Sequence, residues 1–487
     1  MTHSSTDPLL VFAGLGIHAS PPWEYARIAA KLGQIGVVSG AGFEYIFTRI
    51  LQRGDLNGHY RKAIKSFPDQ EMAKRVFNRY YRAGGISPTK RYIHIEQPSL
   101  FPSRDLIELI IVANYCQVWI AKNGHDGLIG VNFLEKIQIP LIHAIYGVLL
   151  AGVDYLFIGA GIPNQISKIL KKLIRHEPAT YQIKVEGMDE KFPLKFYPRE
   201  IMDCKLTKLN RPKFGPIIAL SSLAKGMTRN NPDHGVDLFV AENYIAGGHS
   251  MNPRVKGLFT PDNQPIYGTK DDPNFDQLRK IRIPFYVAGA YASPEKLDEA
   301  LALGALGIQV GSIGADSEGS GVQPHLSAYI RKHAYRGDLV VDCSLKVSPT
   351  KFSFKVVKMP GTLGDPDVYA TRNRICDIGA LLVPYFKGGK GKNKYGYRCS
   401  AEPIESYCKK GGNREDTDCK ACLCNGLFST VDLGQRLPNG TIEPPILTHG
   451  LDYSFIQHLI HHENGNYSIE DVAKYLLSKY PDAIKYL

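Results

Sequence analysis

Short apolar runs alternate with amphipathic stretches over roughly the first two thirds of the chain. Strands and helices that alternate at this spacing are typical of a parallel sheet with crossover helices. The runs predict strands at residues 9–13, 36–39, 127–133, 155–158, 216–220, 238–241, 285–288 and 308–311. Because eight strands close a barrel, the pattern predicts a (β/α)8 barrel of the TIM type, with an open doubly wound sheet as the alternative.

Two parts of the chain depart from this rhythm. Residues 53–123 are more polar and carry proline punctuation, which predicts a helical insertion. Residues 339–359 alternate as antiparallel strands do, and a capping box at residues 468–471 precedes a helix at 472–480. The chain is therefore predicted to hold a barrel at 1–336 with the insertion, then an α+β extension at 337–487 with a Cys-rich loop at 399–424 and terminal helices.

The sequence predicts neither a membrane span nor export. The apolar stretch at residues 139–162 contains His143, Asp154 and several glycines, so it divides into a helix and a strand. No Lys or Arg precedes Pro8, and the nine cysteines are an odd number. We therefore expect a cytoplasmic protein with reduced thiols.

The charge balance adds little about partners. The formal net charge is +12, but the basic residues are scattered along the chain. A solvated basic surface is the first interpretation, with no nucleic-acid partner, and a site for a phosphate-bearing ligand is the alternative.

Small and polar residues follow the predicted strands. The site of a parallel barrel lies at the carboxyl ends of its strands, and turns after the last two strands often hold a phosphate. Taken singly, each glycine could be only a tight turn, but together they predict one site. The candidate residues are Gly14, Asn132, Ser221, Glu242, Gly247, Gly248, His249, Ala288, Gly289, Ala290, Gly311 and Ser312. Among them, His249 is the candidate for proton transfer, because an imidazole titrates near neutral pH.

Three of these turns and one strand carry a resemblance to a known family. The segments are Ala246-Gly-Gly-His249, Ala288-Gly-Ala290, Gly307-Ile-Gln-Val-Gly-Ser312 and Gly130-Val-Asn132. They resemble the nitronate monooxygenases, formerly called 2-nitropropane dioxygenases, which are related to flavin-dependent enoyl-acyl-carrier-protein reductases. The resemblance covers residues 8–40 and most of 128–320.

The resemblance implies a flavoprotein with FMN in the barrel. Gly289, Ala290, Gly311 and Ser312 would hold the FMN phosphate, with Gly247 and Gly248 close to the flavin. Asn132 would face the ring or the ribityl chain, Glu242 would lie near the cofactor, and His249 would be the active-site histidine. Ser221 stands where many members have a lysine, and Ile245 and Ala290 also depart from the family pattern.

Two activities follow from the resemblance. The first is oxidation of alkyl nitronates with molecular oxygen. The alternative is reduction of enoyl thioesters with NAD(P)H and FMN, of fatty-acid or polyketide type, for which an acyl carrier protein is a potential partner. Either substrate is a small molecule. A barrel that serves only as a binding scaffold is disfavoured, because it would not need the glycine turns.

A cysteine cluster suggests a rival chemistry. Cys419 and Cys422 have the spacing that zinc or an iron–sulfur cluster accepts. Cys399, Cys408 and Cys424 are not paired in this way, so we predict that no metal binds, and a structural metal knuckle at 399–424 is the alternative.

Overall fold

A computed structural model describes residues 7–15, 22–229, 234–389 and 391–485. Eight parallel strands close into a barrel in the order β1, β2, β3, β4, β7, β8, β10, β11 and back to β1. Closure is visible in the register, where Leu10 of the first strand pairs with Ile308 of the last. The predicted (β/α)8 barrel is confirmed and the open sheet is wrong. The barrel strands are β1 (Leu10–Phe12), β2 (Ile35–Ser39), β3 (Ile129–Leu134), β4 (Tyr155–Gly159), β7 (Lys213–Ile218), β8 (Phe239–Glu242), β10 (Phe285–Ala288) and β11 (Gly307–Val310).

The remaining strands form small antiparallel sheets outside the barrel. The strands β5 and β6 pair in a hairpin, β14 pairs with β15, and β12, β13 and β9 form a three-stranded sheet. Their bounds are β5 (Ala179–Ile183), β6 (Phe192–Phe196), β9 (His249–Ser250), β12 (Val341–Ser344), β13 (Ser353–Val357), β14 (Val383–Phe386) and β15 (Tyr395–Arg398). The antiparallel pairing expected for residues 339–359 is thus confirmed.

Eighteen α-helices lie in the described ranges. They are α1 (Pro22–Lys31), α2 (Phe43–Gln52), α3 (His59–Lys65), α4 (Gln70–Tyr80), α5 (Arg104–Lys122), α6 (Gln138–Leu150), α7 (Ile166–Leu173), α8 (Pro198–Ile201), α9 (Ser221–Thr228), α10 (Phe275–Ile281), α11 (Pro294–Ala302), α12 (Ser312–Ala315), α13 (Pro324–Arg336), α14 (Pro366–Thr371), α15 (Ile404–Lys409), α16 (Leu423–Ser429), α17 (Ile456–Leu459) and α18 (Ile469–Leu476).

The segment expected to be a polar insertion contributes to the core. It is helical, as predicted, but α5 is buried on nearly every side and packs along α6. Apolar residues occupy most positions of α5, so this helix cannot be a solvated appendage. It covers the barrel between β2 and β3, in the place of a crossover helix.

The extension packs back onto the barrel at two points. The short strand β9 follows barrel strand β8 in the chain and pairs with β13 of the extension, so that His249 lies opposite Phe354. At the far end, Lys485 donates its backbone N–H to Leu32 at the end of α1, and the Gln34 side chain donates to the carbonyl of Ala483. Residues of the barrel and the extension therefore share one hydrophobic core.

The apolar stretch at 139–162 divides as predicted. Its first part lies in α6, and its second part includes strand β4 of the barrel. Within the described ranges, no helix combines the length and the apolar character needed to cross a membrane.

Candidate active site

A cavity of about 280 Å³ lies at the carboxyl ends of the barrel strands. The predicted site residues of strands β1, β3, β8, β10 and β11, with those of the turn after β8, reach its wall. They are Gly14, Asn132, Glu242, Gly247, Gly248, His249, Ala288, Gly289, Ala290, Gly311 and Ser312. Residues separated by up to 298 positions in the sequence are brought together because parallel strands present the same ends on the same side of a barrel.

Ser221 lies apart from these residues. It begins helix α9, is buried, and donates its hydroxyl hydrogen to Oε1 of Gln277 at 3.0 Å. The hydroxyl is thus engaged on the helical layer outside the barrel. The structure does not place it on the cavity wall.

The turn after β10 needs an unusual backbone. Gly289 has φ of 86° and Ala290 has φ of 57°, both in the left-handed region. A Cβ atom at Gly289 would collide with the side chain of Asn243, so this position is restricted to glycine. Ala290 bears the cost of the left-handed conformation with a methyl group in place. The turn therefore holds a strained backbone against the cavity, as functional turns often do.

Asn132 has a buried hydrogen-bond acceptor without a partner in the described residues. Its Nδ2 donates to the carbonyl of Gly14 at 2.9 Å, whereas its Oδ1 is buried without a hydrogen-bond partner. A buried amide oxygen left unpaired costs about 1–3 kcal/mol, so such atoms are usually paired in the functional state. Asn132 is a lining residue of the cavity, but this oxygen has almost no accessible surface there.

His249 is held by the extension. Its Nε2 lies 2.8 Å from Oγ of Ser348, a hydrogen bond, and its ring packs edge-on against Phe354 with 4.8 Å between centroids. Nδ1 has no hydrogen-bond partner among the described residues. Burial, aided by the positive charge of Lys355, lowers the pKa of His249 to about 4. The imidazole is consequently neutral at pH 7.

Glu242 is a residue of the cavity wall whose pKa lies near neutrality. Burial raises the pKa of its carboxyl group to about 7, and the charge of Lys355 limits that rise. The group lies at the end of β8 on the cavity wall. At pH 7 it is therefore present in both protonation states and can give or take a proton.

Lys355 is a site residue that the sequence did not reveal. It lies on β13, is fully buried, and donates from Nζ to Oγ of Ser250 at 2.7 Å. Burial lowers its own pKa, and the nearby Cys343 and Glu242 oppose that shift. The charge of Lys355 therefore lowers the pKa values of both Glu242 and His249, although Lys355 does not itself line the cavity.

A segment that we call the strap, residues 448–452, crosses the mouth of the barrel. The N–H of Gly248 donates to Oγ1 of Thr448 at 2.8 Å, and the N–H of Gly450 donates to Oγ of Ser312 at 2.9 Å. A Cβ atom on Gly247 would lie only 3.1 Å from the backbone nitrogen of Gly450. The glycine turn after β8 is therefore used for close packing against the strap as well as for facing the cavity.

A buried pair fixes the strap to the barrel. Nε2 of His449 lies 2.9 Å from Oδ2 of Asp316, and both side chains are almost fully buried. Burial alone would lower the pKa of His449, but the carboxylate of Asp316 outweighs it and the pKa is raised. The carboxylate thus favours the charged imidazolium in the folded state.

The outer wall of the cavity is apolar and comes mainly from the extension. Its polar wall residues include Glu242 and Asp452, and no Lys or Arg lines it in the described part of the chain. The apolar wall residues include Phe133, Leu134, Ile137, Phe354, Leu381, Leu423, Leu427, Phe428 and Phe455. Such a wall suits a ligand with a hydrocarbon or ring surface and few charges.

The cysteines do not assemble a metal site in the described ranges. All nine thiols are free, and no group of three or more His, Cys, Asp or Glu side chains is placed to hold a metal ion there. Cys424 lines the main cavity, and Cys399 lines a second one.

Comparison with known proteins gives structural matches alone. No protein-family model matches the sequence, and no curated protein matches it either. The structure of FabK from Thermotoga maritima matches with 15% identity and a TM-score of 0.47, covering 98% of this chain and 94% of that chain. A nitroalkane oxidase from Streptomyces ansochromogenes matches with 11% identity and a TM-score of 0.43, covering 99% of this chain and 98% of that one.

A third match is the enoyl reductase domain of MlnA from the macrolactin biosynthesis cluster of Bacillus amyloliquefaciens. It has 14% identity and a TM-score of 0.29, and covers 54% of this chain and 56% of that one. The matched proteins include an enoyl reductase domain and a nitroalkane oxidase.

Proposed function

We propose that this chain is an FMN-dependent oxidoreductase that reduces the double bond of enoyl thioesters. The observation that carries the proposal is a cavity edged by the glycine turns of three neighbouring strands. Turns without side chains let a ligand approach the backbone closely.

The residues present fit FMN. A Cβ built on Gly311 or on Gly248 would meet open space, so the backbone of both turns is accessible to a ligand. The backbone N–H groups of the turns after β10 and β11 are the groups that would hold its phosphate. No Lys or Arg stands on the described part of the wall for this purpose, so the phosphate would depend on backbone donors.

Bound FMN would supply the hydride chemistry between a nicotinamide donor and the double bond of the substrate. Glu242 can deliver the proton that completes the reduction, since its pKa of about 7 leaves part of it protonated at neutral pH. His249 is neutral, and Nδ1 is the ring nitrogen that Ser348 leaves available for the thioester carbonyl. The apolar wall lowers the polarity around the reacting atoms.

The cavity wall favours the thioester over the nitronate, which reverses the order expected from the sequence resemblance. An enoyl thioester is neutral and carries a hydrocarbon chain that suits the apolar wall. A nitronate is an anion, and on the wall it would meet Glu242 and Asp452 without a cation.

Nitronate oxidation remains the second candidate because of Lys355. The buried ammonium of Lys355 lies close enough to influence Glu242 and His249, and its positive potential would favour an anion in the cavity. The two candidate substrates therefore depend on different charges. The neutral thioester suits a wall dominated by carboxylates, whereas the anionic nitronate suits a cavity dominated by the charge of Lys355.

The test begins with the cofactor and ends with the substrate. Flavin released by heat should have the mass of FMN; FAD, or no flavin after reconstitution, would refute the cofactor assignment. Without oxygen, NADPH or NADH should bleach the bound flavin, and an enoyl thioester should restore its colour. A flavin that ignores both nucleotides but is reduced by a nitronate would establish the second candidate instead.

A further inference from the structure

The barrel cavity has an apolar end that faces the proposed reacting groups. In the closed strand order, β2 lies four strands from β8 and β3 lies four strands from β10, so the members of each pair stand on opposite sides of the mouth. Glu242 ends β8, and His249 follows the turn after it. On the opposite side, the wall consists of residues 41–42 after β2 and of Phe133 and Leu134 at the end of β3. A substrate held at Glu242 and His249 would therefore extend its hydrocarbon chain towards an apolar wall.

Helix α16 of the extension closes this end of the cavity. Leu423, Cys424, Leu427 and Phe428 have the spacing of a single helix face, and all four belong to the cavity wall. A Cβ atom built on Gly42 would lie 3.0 Å from Cζ of Phe428, so α16 packs directly against the turn after β2. The extension thus supplies the wall that limits the cavity on the side away from the reacting groups.

Leu427 is the residue of α16 that a ligand can reach. Every other residue of the helix is buried, whereas Leu427 is partly exposed and lies on the cavity wall. Its side chain is branched and uncharged, so it can contact a hydrocarbon chain without leaving a polar group unpaired. The size of this side chain therefore affects how far a chain can extend.

The packing behind α16 fixes the position of the wall. The ring of Phe428 lies against the buried guanidinium of Arg49, with 5.1 Å between the guanidinium carbon and the ring centroid. Nη2 of Arg49 donates to both carboxylate oxygens of Asp377, at 3.1 and 3.0 Å. Asn425 of α16 donates from Nδ2 to Oδ1 of Asp377 at 3.1 Å. Because breaking a buried ion pair is strongly unfavourable, α16 should not move back to make room for a longer ligand.

We propose that the space between the barrel and α16 holds the acyl chain of the thioester, and that Leu427 sets the longest chain that binds well. The inference rests on the proposed function, which places the thioester carbonyl at His249 and the double bond near Glu242. Each methylene group that enters the apolar end is removed from water and increases affinity. A chain that reaches past Leu427 would overpack a wall that is held from behind, and its affinity should fall.

The experiment measures how saturated acyl thioesters of N-acetylcysteamine bind to the purified protein as the chain is lengthened. These compounds have no double bond to reduce, so calorimetric titration reports binding alone. In the parent, affinity should rise by about fourfold for each added methylene group and fall beyond a maximum. Leu427→Ala should move the maximum to longer chains, and Leu427→Phe should move it to shorter chains. The corresponding enoyl thioesters should show the same order in kcat/KM.

The matched control is a partly buried leucine outside the cavity, Leu301 of α11. Leu301→Ala and Leu301→Phe should keep the maximum of the parent. If Leu427→Phe does not fold, Leu427→Val and Leu427→Ala should still move the maximum upward in the order of lost volume.

The outcomes separate the chain-length wall from the proposed function. Maxima that shift in the Leu427 variants without any reduction of the enoyl thioesters would support the wall and refute the reductase. Affinity that does not depend on chain length, or the same maximum in parent and Leu427 variants, would overturn the wall even if the enoyl thioesters are reduced. Equal shifts in the Leu301 variants would also overturn it, because the effect would then be a general loosening of the fold.

Discussion

His249 of the barrel and Ser348 of the extension are hydrogen-bonded at 2.8 Å between Nε2 and Oγ. The bond fixes the ring orientation of the proposed active-site histidine through a residue 99 positions away in the chain. It also leaves Nδ1 as the ring nitrogen available to a substrate. The part of the chain beyond the barrel therefore orients a group at the centre of the proposed chemistry.

Replacing His249 should separate chemistry from stability. His249→Ala should retain the bound flavin and lower turnover per flavin by about 100-fold or more, because a group that manages a proton or polarises the carbonyl is lost. His249→Asn should recover part of the hydrogen bonding. His462→Ala, on the exposed surface, is the control. Parent-like turnover of His249→Ala would show that the histidine has only a structural role.

Glu242 should control the alkaline side of the pH profile. Its raised pKa of about 7 means that the protonated form is present below pH 7 and is lost above it. If this form delivers the proton, kcat should decline above about pH 7 in the parent, and Glu242→Gln should be slower and lack this decline. Asp452→Asn, at the other carboxylate on the wall, should retain it. An unchanged profile in Glu242→Gln would assign the proton to another group.

Gly311→Glu should prevent flavin binding. A side chain at this position points into open space at the edge of the cavity, so the fold should tolerate it while its charge opposes a phosphate. Gly226→Glu, at an open position on exposed helix α9, is the matched control. Flavin content measures cofactor binding, and circular dichroism measures folding. A folded Gly311→Glu protein with a full complement of flavin would contradict the proposed position of the cofactor.

Removing Asp316 should loosen the strap. Asp316→Ala leaves His449 buried without its partner and should lower the free energy of unfolding by about 3–5 kcal/mol, as breaking a buried pair does. Because the pKa of His449 is raised in the folded state, the stabilisation by this pair depends on pH. It is fully present below the unfolded pKa of 6.5 and is lost as pH rises through the folded pKa. Urea unfolding of parent and variant should therefore converge at alkaline pH. Asp298→Ala, at an exposed ion pair with Lys479, should have little effect. If the difference in the free energy of unfolding between parent and Asp316→Ala grew with pH, this assignment would be contradicted.

The Cys-rich loop should hold no stoichiometric metal. Elemental analysis of the purified protein should find well under one zinc or iron per chain, and Cys422→Ser should leave the flavin content intact. One metal per chain, lost in Cys422→Ser, would instead establish a structural metal knuckle at 399–424.

The barrel and its glycine turns were predictable from the sequence, because strand runs and their small-residue ends are local patterns. Gly311 and Ser312 could be assigned to the same edge as Gly14 from strand order alone. The bounds were less predictable: β7 begins at Lys213 rather than at residue 216, since Lys213 and Gly215 interrupt the apolar pattern around Phe214.

The contribution of the extension could not be predicted, because it depends on long-range pairing. Lys355 lies in an alternating strand, and nothing local indicates that β13 pairs with β9 and buries the ammonium behind Glu242. Thr448 and Gly450 belong to no regular element, so their contacts with the barrel have no periodic signal. At Ser221 the sequence predicted a site residue, because Ser221 follows a barrel strand. Its hydroxyl group is instead bonded to Gln277.

The strap also has a consequence for the order in which the protein becomes functional. Synthesis proceeds from the N-terminus, and domains generally fold as they emerge. The last barrel strand ends at Val310, whereas the residues that hold Gly248 and Ser312 follow more than 130 positions later. During translation, the proposed cofactor site therefore stays open on one side until the strap has left the ribosome. Cofactor loading in the cell should accordingly be a late event that accompanies closure of the strap.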